Sequence, residues 1–167
     1  SPTTSSAGAI RTGMAADGGL YIPTSIPTWR GPEPLSAAAY QGRAAWLLAE
    51  FLTDYTPGEI TGSAAAAYSS EKFPEAVAPV RTLTPSIHVL ELWHGPTSAF
   101  KDMALQLLPH LLRYAVAKGE KQQRTLILVA TSGDTGKAAL EGFRDVPGTE
   151  IVVFYPARGV SPMQQWQ

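Results

Sequence analysis

The sequence predicts an α/β fold: a mostly helical and loop amino-terminal region, residues 1–80, followed by a parallel-sheet βαβ portion, residues 81–167. Three observations predict it. Residues 1–35 are rich in Gly, Pro, Ser and Thr and read as mostly loop. Between Ser36 and Leu52, apolar side chains recur at helical spacing. Beyond residue 80, the short apolar runs Thr125–Ala130 and Ile151–Tyr155 flank a helix-length segment. Strand, helix and strand in that order imply parallel pairing with a right-handed crossover.

Taken in order, Gly18-Gly19-Leu20-Tyr21-Ile22-Pro23 reads as a turn and a short edge segment. Tyr40, Ala44, Leu47, Leu48, Phe51 and Leu52 form the apolar stripe of an amphipathic helix that stops at Pro57-Gly58. Ala64–Ala67 with Tyr68 suggest a second short helix, and Pro74, Pro79 and Pro85 punctuate the connection after it. Ile87–Trp93 reads as a strand, and Phe100–Lys118 as a helix ending at Gly119. Pro109 removes a backbone donor inside that helix, so a kink or break is expected there. Thr125–Ala130 reads as a buried strand, Lys137–Phe143 as a helix and Ile151–Tyr155 as the next strand. Ser161-Pro162 has the form of a helix start, and the chain stops at Gln167 with no completed helix over the last strand. We therefore expect a fragment of a longer protein, its first residue, Ser rather than Met, reflecting processing or a tag scar.

Of the 167 residues, 44% are hydrophobic and 16% charged, a composition that can bury a core. Thirteen Lys and Arg against fourteen Asp and Glu leave a formal net charge of -1, which builds no field for nucleic acid or an anionic membrane surface. No apolar run approaches the roughly 20 residues that span a bilayer. The absence of cysteine excludes disulfides and thiolate chemistry and agrees with a reducing, cytoplasmic setting.

Two motifs carry chemistry. The first is His94-Gly95-Pro96-Thr97-Ser98-Ala99-Phe100-Lys101-Asp102, between a strand and a helix. Pro96, Ala99, Phe100, Met103 and Ala104 give Lys101 small or apolar flanks, a setting that depresses a lysine pKa as an imine-forming amine requires. On spacing alone, a first-turn lysine with a solvated tip is the commoner outcome, and Asp102 reads as a first-turn acid favouring the helix dipole. The second motif, Val129-Ala130-Thr131-Ser132-Gly133-Asp134-Thr135-Gly136-Lys137, leads from a strand into a helix. Small residues admit a ligand close to the backbone, and free amides at the helix start favour a carboxylate or phosphate. An ordinary turn capped by Ser132, Asp134 or Thr135 explains the same polar residues.

Other chemistries fit less well. Gly136-Lys137 invites comparison with the nucleotide-binding P-loop, but Thr131 stands where its first Gly belongs and Ala138 where its Ser or Thr belongs. His88, His94 and His110 form no helical pair and no recognisable metal site. His88 is expected in or beside a strand, and His94 beside Lys101. No Ser-His-Asp set is evident.

Together the two motifs, in this order, resemble those of threonine synthases, members of the tryptophan-synthase-β-like group of fold type II pyridoxal-phosphate (PLP) enzymes. Met14-Ala15-Ala16-Asp17-Gly18-Gly19-Leu20-Tyr21-Ile22-Pro23 and Gly159-Val160-Ser161-Pro162-Met163-Gln164 extend the resemblance over nearly the whole chain.

The resemblance implies conversion of O-phospho-L-homoserine and water into L-threonine and phosphate. Lys101 would hold PLP covalently and then move protons at Cα and Cβ of the substrate. Phe100 and Asp134 would contact the cofactor, and Thr131, Ser132, Gly133, Asp134 and Thr135 would hold the substrate carboxylate. The family's glycine-rich loop for the PLP phosphate and its partner for the pyridine nitrogen lie in a carboxyl-terminal part beyond Gln167. We therefore expect weak cofactor binding, no catalysis by these residues alone, and self-association through apolar surface that the missing part would cover. A phospholyase acting on another phosphorylated amine and a non-catalytic interaction domain are the competing readings.

Overall fold

A computed structural model describes residues 3–28, 31, 38–119 and 124–166. The chain divides into two compact units, residues 1–66 with 110–123 and residues 67–109 with 124–167.

The first unit contains α1 (Ser6–Thr12), α2 (Tyr40–Phe51), most of α3 (Pro57–Ala67) and most of α5 (Leu108–Ala117). Helix α1 falls where the composition reads as loop. Its register comes from caps, not from an apolar stripe: Ser5 Oγ accepts from Gly8 N at 3.0 Å, and Asp54 Oδ2 accepts from Ala7 N at 2.9 Å. Ser6 Oγ donates to Phe51 O at 2.9 Å, fastening α1 to the end of α2. Helix α2 occupies the expected segment from Tyr40; the expected start at Ser36 lies outside the described residues.

Helix α3 begins at Pro57, where Pro57-Gly58 reads in sequence as a stop. Thr56 Oγ1 accepts from Glu59 N at 3.2 Å, and Glu59 Oε2 accepts from Thr56 N at 2.7 Å, a reciprocal capping box with Pro at the first helical position. Tyr55 Oη donates to Leu111 O at 3.0 Å, and Lys118 Nζ donates to both Glu59 oxygens at 2.9 and 2.7 Å. Ala7, Ala45, Tyr55, Ile60, Ala64, Leu111, Leu112 and Ala115 are this unit's buried hydrophobic residues.

The second unit carries two separate two-stranded sheets. Strands β1 (Val80–Thr84) and β2 (Ile87–Leu90) pair antiparallel around Pro85-Ser86, with an irregularity between Thr82 and Thr84. This corrects the expectation of a parallel strand at Ile87–Trp93: a two-residue turn can only return the chain antiparallel, and the ladder ends at Leu90. The strand before the turn lies in the stretch between Pro79 and Pro85 that reads as a connection.

Strands β3 (Thr125–Ala130) and β4 (Thr149–Phe154) pair in parallel across α6 (Asp134–Phe143), as the alternation of elements predicts. Leu128 lies opposite Val152 and Ala130 opposite Phe154. Both strands alternate half-buried and exposed positions, so β3 is not buried on both faces as its continuous apolar run suggests. Helix α6 covers the face that bears Val153.

The expected Phe100–Lys118 helix breaks into α4 (Asp102–Leu105) and α5 at Gln106-Leu107. Pro109, fully buried, has no N–H to offer the carbonyl of Leu105 one turn earlier. Ser161-Pro162 opens α7 (Pro162–Trp166): Ser161 Oγ accepts from Gln164 N and Gln164 Oε1 accepts from Ser161 N, both at 3.2 Å. Phe143 and Phe73, 4% and 3% exposed, anchor the unit's interior, each contributing roughly 1.5–3 kcal/mol by burial.

Candidate functional site

Both chemical motifs lie in the second unit. Lys101 is the cap residue of α4, with helical backbone angles, and its side chain is half-buried. Its Nζ stands 4.5 Å from the centroid of the Phe100 ring, whose residue is 62% exposed. The other lysines of the described residues are engaged: Lys72 Nζ donates to Gln106 Oε1 at 2.7 Å, Lys118 pairs with Glu59, and Lys137 Nζ lies 3.5 Å from Asp134 Oδ1. Among the described residues Lys101 Nζ has no hydrogen bond or ion pair.

Asp102 is a first-turn acid of α4, as its position suggests, but it is not solvated. It is completely buried, and both carboxylate oxygens accept from Thr97, Oδ2 from the backbone N–H and Oδ1 from the hydroxyl, each at 2.8 Å. Ser98 follows with φ 54, the left-handed region that a residue with a side chain adopts rarely.

The loop Thr131–Thr135 turns the chain from β3 into α6. The helix cap is Gly133, which makes no side-chain cap bond, so the capping role open to Ser132, Asp134 or Thr135 belongs to none of them at that position. Thr131 Oγ1 instead accepts from Gly133 N at 3.2 Å. Ser132 and Asp134 are exposed, while Thr131, Gly133 and Thr135 are half-buried. Gly136 is where the helix starts against the sheet: a Cβ there would lie 2.5 Å from Thr131 Cγ2 and 2.9 Å from Val153 Cγ1.

An open cleft of about 480 Å³ brings the two motifs together, with Pro96, Thr97 and Ser98 on one side and Lys137, Leu140, Glu141, Arg144 and Ile151 on the other. Lys101, Phe100 and Thr131–Thr135 do not line it. Its charges are largely matched, Lys137 by Asp134 and Arg144 by Glu141 at 3.0 Å.

His94 Nε2 bonds Glu91 Oε2 at 2.7 Å, and the ring stacks on Trp93. His88 lies in β2, its Nδ1 3.0 Å from Thr82 Oγ1. No group of three or more His, Asp or Glu is placed to hold a metal ion among the described residues. No helix among them is long and apolar enough to cross a membrane.

Sequence reasoning missed the buried polar pair behind α4. Gln106 is completely buried, Lys72 reaches it from the segment after α3, and burial lowers the Lys72 pKa. No local pattern signals a contact 34 residues apart.

Residues 1–68 match the family model described as threonine synthase N terminus. Threonine synthase of Pseudomonas aeruginosa is 40% identical over 160 residues, which cover 93% of this chain and 33% of that protein. The chain belongs to the threonine synthase family. Human threonine synthase-like 1 is 37% identical over 172 residues, covering 95% of this chain and 22% of that protein. Among solved structures, PLP-bound threonine synthase from Brucella melitensis matches with a TM-score of 0.89 at 36% identity, covering 98% of this chain and 35% of that one. Yeast threonine synthase matches with a TM-score of 0.85 at 33% identity. The chain thus spans about a third of the length of the curated threonine synthases it matches.

Proposed function

We propose that these residues form the amino-terminal part of a threonine synthase and that Lys101 is its PLP-binding amine. The observation that carries this reading is the state of that amine. It sits at a helix start beside an aromatic ring, and it is the one lysine among the described residues whose Nζ is not committed to a hydrogen bond or ion pair. A glycine-capped helix start supplies backbone donors from the second motif. A primary amine, an aromatic face and free amides suit an anionic aromatic aldehyde.

When bound, PLP supplies an electron sink for negative charge developing on the substrate carbons. The chain's residues do the rest. Lys101 would hold the cofactor covalently, and its amine, when free, would move protons at Cα and Cβ of the substrate. Residues Thr131–Thr135 would hold the substrate carboxylate, the free amides at the helix start supplying the donors, while Phe100 and Asp134 would border the cofactor. The net reaction takes O-phospho-L-homoserine and water to L-threonine and phosphate: the phosphate leaves Cγ, water adds at Cβ, and a proton goes to Cγ. The 167 residues by themselves do not complete it, because the family's phosphate-gripping loop lies outside them; threonine formation by this chain alone would overturn that statement.

The test is to add PLP, record the absorbance spectrum, reduce with borohydride and map the adduct, with Lys101→Ala alongside. A visible band lost in the variant and an adduct on Lys101 support the assignment. An adduct absent from both this chain and a full-length protein containing it ends the assignment. A second reading is phosphate elimination from a different phosphorylated amine; identities of 40% to a threonine synthase and 37% to a threonine synthase-like 1 do not separate the two. Product analysis with the full-length protein separates the two.

A further inference from the structure

We infer that Asp102 is a positioning residue that sets the direction in which Lys101 leaves the backbone, an inference resting on the assignment of Lys101 as the cofactor-binding amine. Nothing tethers the Lys101 amine by a hydrogen bond or ion pair among the described residues, so its direction is set by its backbone and the adjacent Phe100 ring. That backbone is pinned on both sides. After it, the Lys101 carbonyl accepts from Leu105 N at 2.9 Å and Ala104 N at 3.2 Å. Before it, residues 95–98 fold back onto the Asp102 carboxylate.

The closure is tight. Thr97 gives the carboxylate both its donors at 2.8 Å. Gly95 packs so close that a Cβ there would stand 2.6 Å from Asp102 Oδ2 and 2.7 Å from Asp102 Cβ. Ser98 N donates to Gly95 O at 3.1 Å, and Asp102 N donates to Ala99 O at 3.0 Å. The left-handed Ser98 is strained, and such a conformation persists only where its surroundings enforce it. A buried carboxylate with two donors from one residue is that enforcement. Lys72, whose Nζ is bound to Gln106, lies within reach of its field, but the contacts that shape the loop are those of Thr97 and Gly95.

The role is geometric and therefore open to rescue. Asparagine can accept from Thr97 N with its oxygen and donate to Thr97 Oγ1 with its amide, so Asp102→Asn keeps the loop while Asp102→Ala dismantles it. The experiment treats a full-length protein containing this chain, and its Asp102→Ala, Asp102→Asn and Thr97→Val variants, with PLP and borohydride. It follows labelling at Lys101 against Lys72, Lys118 and Lys137 in the same sample by peptide mapping. Selective loss at Lys101 of at least about tenfold in Asp102→Ala is expected, with Asp102→Asn retaining most of it. Thr97→Val, which keeps the backbone bond, should fall between wild type and Asp102→Ala, and it stands in should the alanine variant fail to fold. Wild-type labelling at Lys101 in Asp102→Ala or in Thr97→Val, a uniform loss at every lysine, or an asparagine variant as poor as alanine each overturns the inference while leaving the Lys101 assignment intact. A full-length protein containing this chain whose Lys101 is labelled no faster than the other lysines removes both.

Discussion

Gly142 of α6 lies against the carbonyl oxygen of Leu105 so closely that a Cβ at position 142 would overlap it. The Leu105 carbonyl carbon would stand 2.9 Å away, so the obstacle is backbone and not a side chain that can swing aside. Gly142→Ala should therefore push α4 and α6 apart. The expected cost is about 1–3 kcal/mol, seen as a lower urea midpoint with an unchanged slope. An unchanged midpoint would mean that the two helices are not held at this spacing.

The capping box at the start of α3 makes a second prediction. Thr56 and Glu59 satisfy each other's backbone donors, and Thr56→Ala removes one of the two bonds. A loss of about 1 kcal/mol is expected. Thr56→Ser should restore most of it, since the serine hydroxyl accepts in the same place. If serine is no better than alanine, the bond does not stabilise the helix.

Acid should weaken the first unit. Burial works to raise the Asp54 pKa, but the Ala7 N–H bonded to its carboxylate, with the nearby polar groups of Ser5, Ser6 and its own backbone, outweighs it and holds the carboxyl below its ordinary value. Lys118, bonded to the carboxylate, is the largest influence on Glu59; with help from Thr56 and against a smaller effect of burial, it holds that group below 4.5. Both folded-state values are depressed, so the stabilisation is complete above the unfolded values and is lost as pH falls through the folded ones. Urea midpoints should hold from about pH 6 to the top of that window and fall below it. Asp54→Asn should lower the midpoint at about pH 6 and shrink the difference from about pH 3. A variant with the full wild-type pH dependence would exclude Asp54 as a contributor.

These contacts also explain which parts of the molecule were legible in the sequence. The βαβ element was, because the apolar runs Thr125–Ala130 and Ile151–Tyr155 flank a segment of helix length, and so was the break at Pro109, a direct consequence of a missing N–H. Helix α1 was not, since Asp54 caps it from 47 residues away and its own Ser, Ala and Gly residues carry no period. Strand β1 was hidden by Pro79 and Pro85, which mark the ends of a hairpin arm as readily as a loop. At the site, the order of the two motifs pointed to the family. The burial of Asp102 did not show, because an acid after a helix-capping residue looks the same in sequence whether solvated or folded over by its own loop.

The uncovered face of the β3–β4 sheet carries the last prediction. Leu126, Leu128, Val152 and Phe154 are 54%, 63%, 41% and 60% exposed. Leu128 lies beside Val152 and Ala130 beside Phe154, so these side chains form one apolar strip. Among the described residues the sheet has two paired strands, each with an unpaired edge, and an exposed apolar strip between open edges is a template for association. The chain alone should therefore show an apparent mass that rises with concentration in light scattering. Leu128→Lys with Phe154→Lys places two like charges on that strip, where association would have to desolvate them both. Because both positions are already exposed, folding stability should change by only about 0.5 kcal/mol per site. The double variant should then be monomeric at concentrations where the parent associates. Equal association in the two would place the contact elsewhere, and a parent that stays monomeric throughout would show that the strip is tolerated in water.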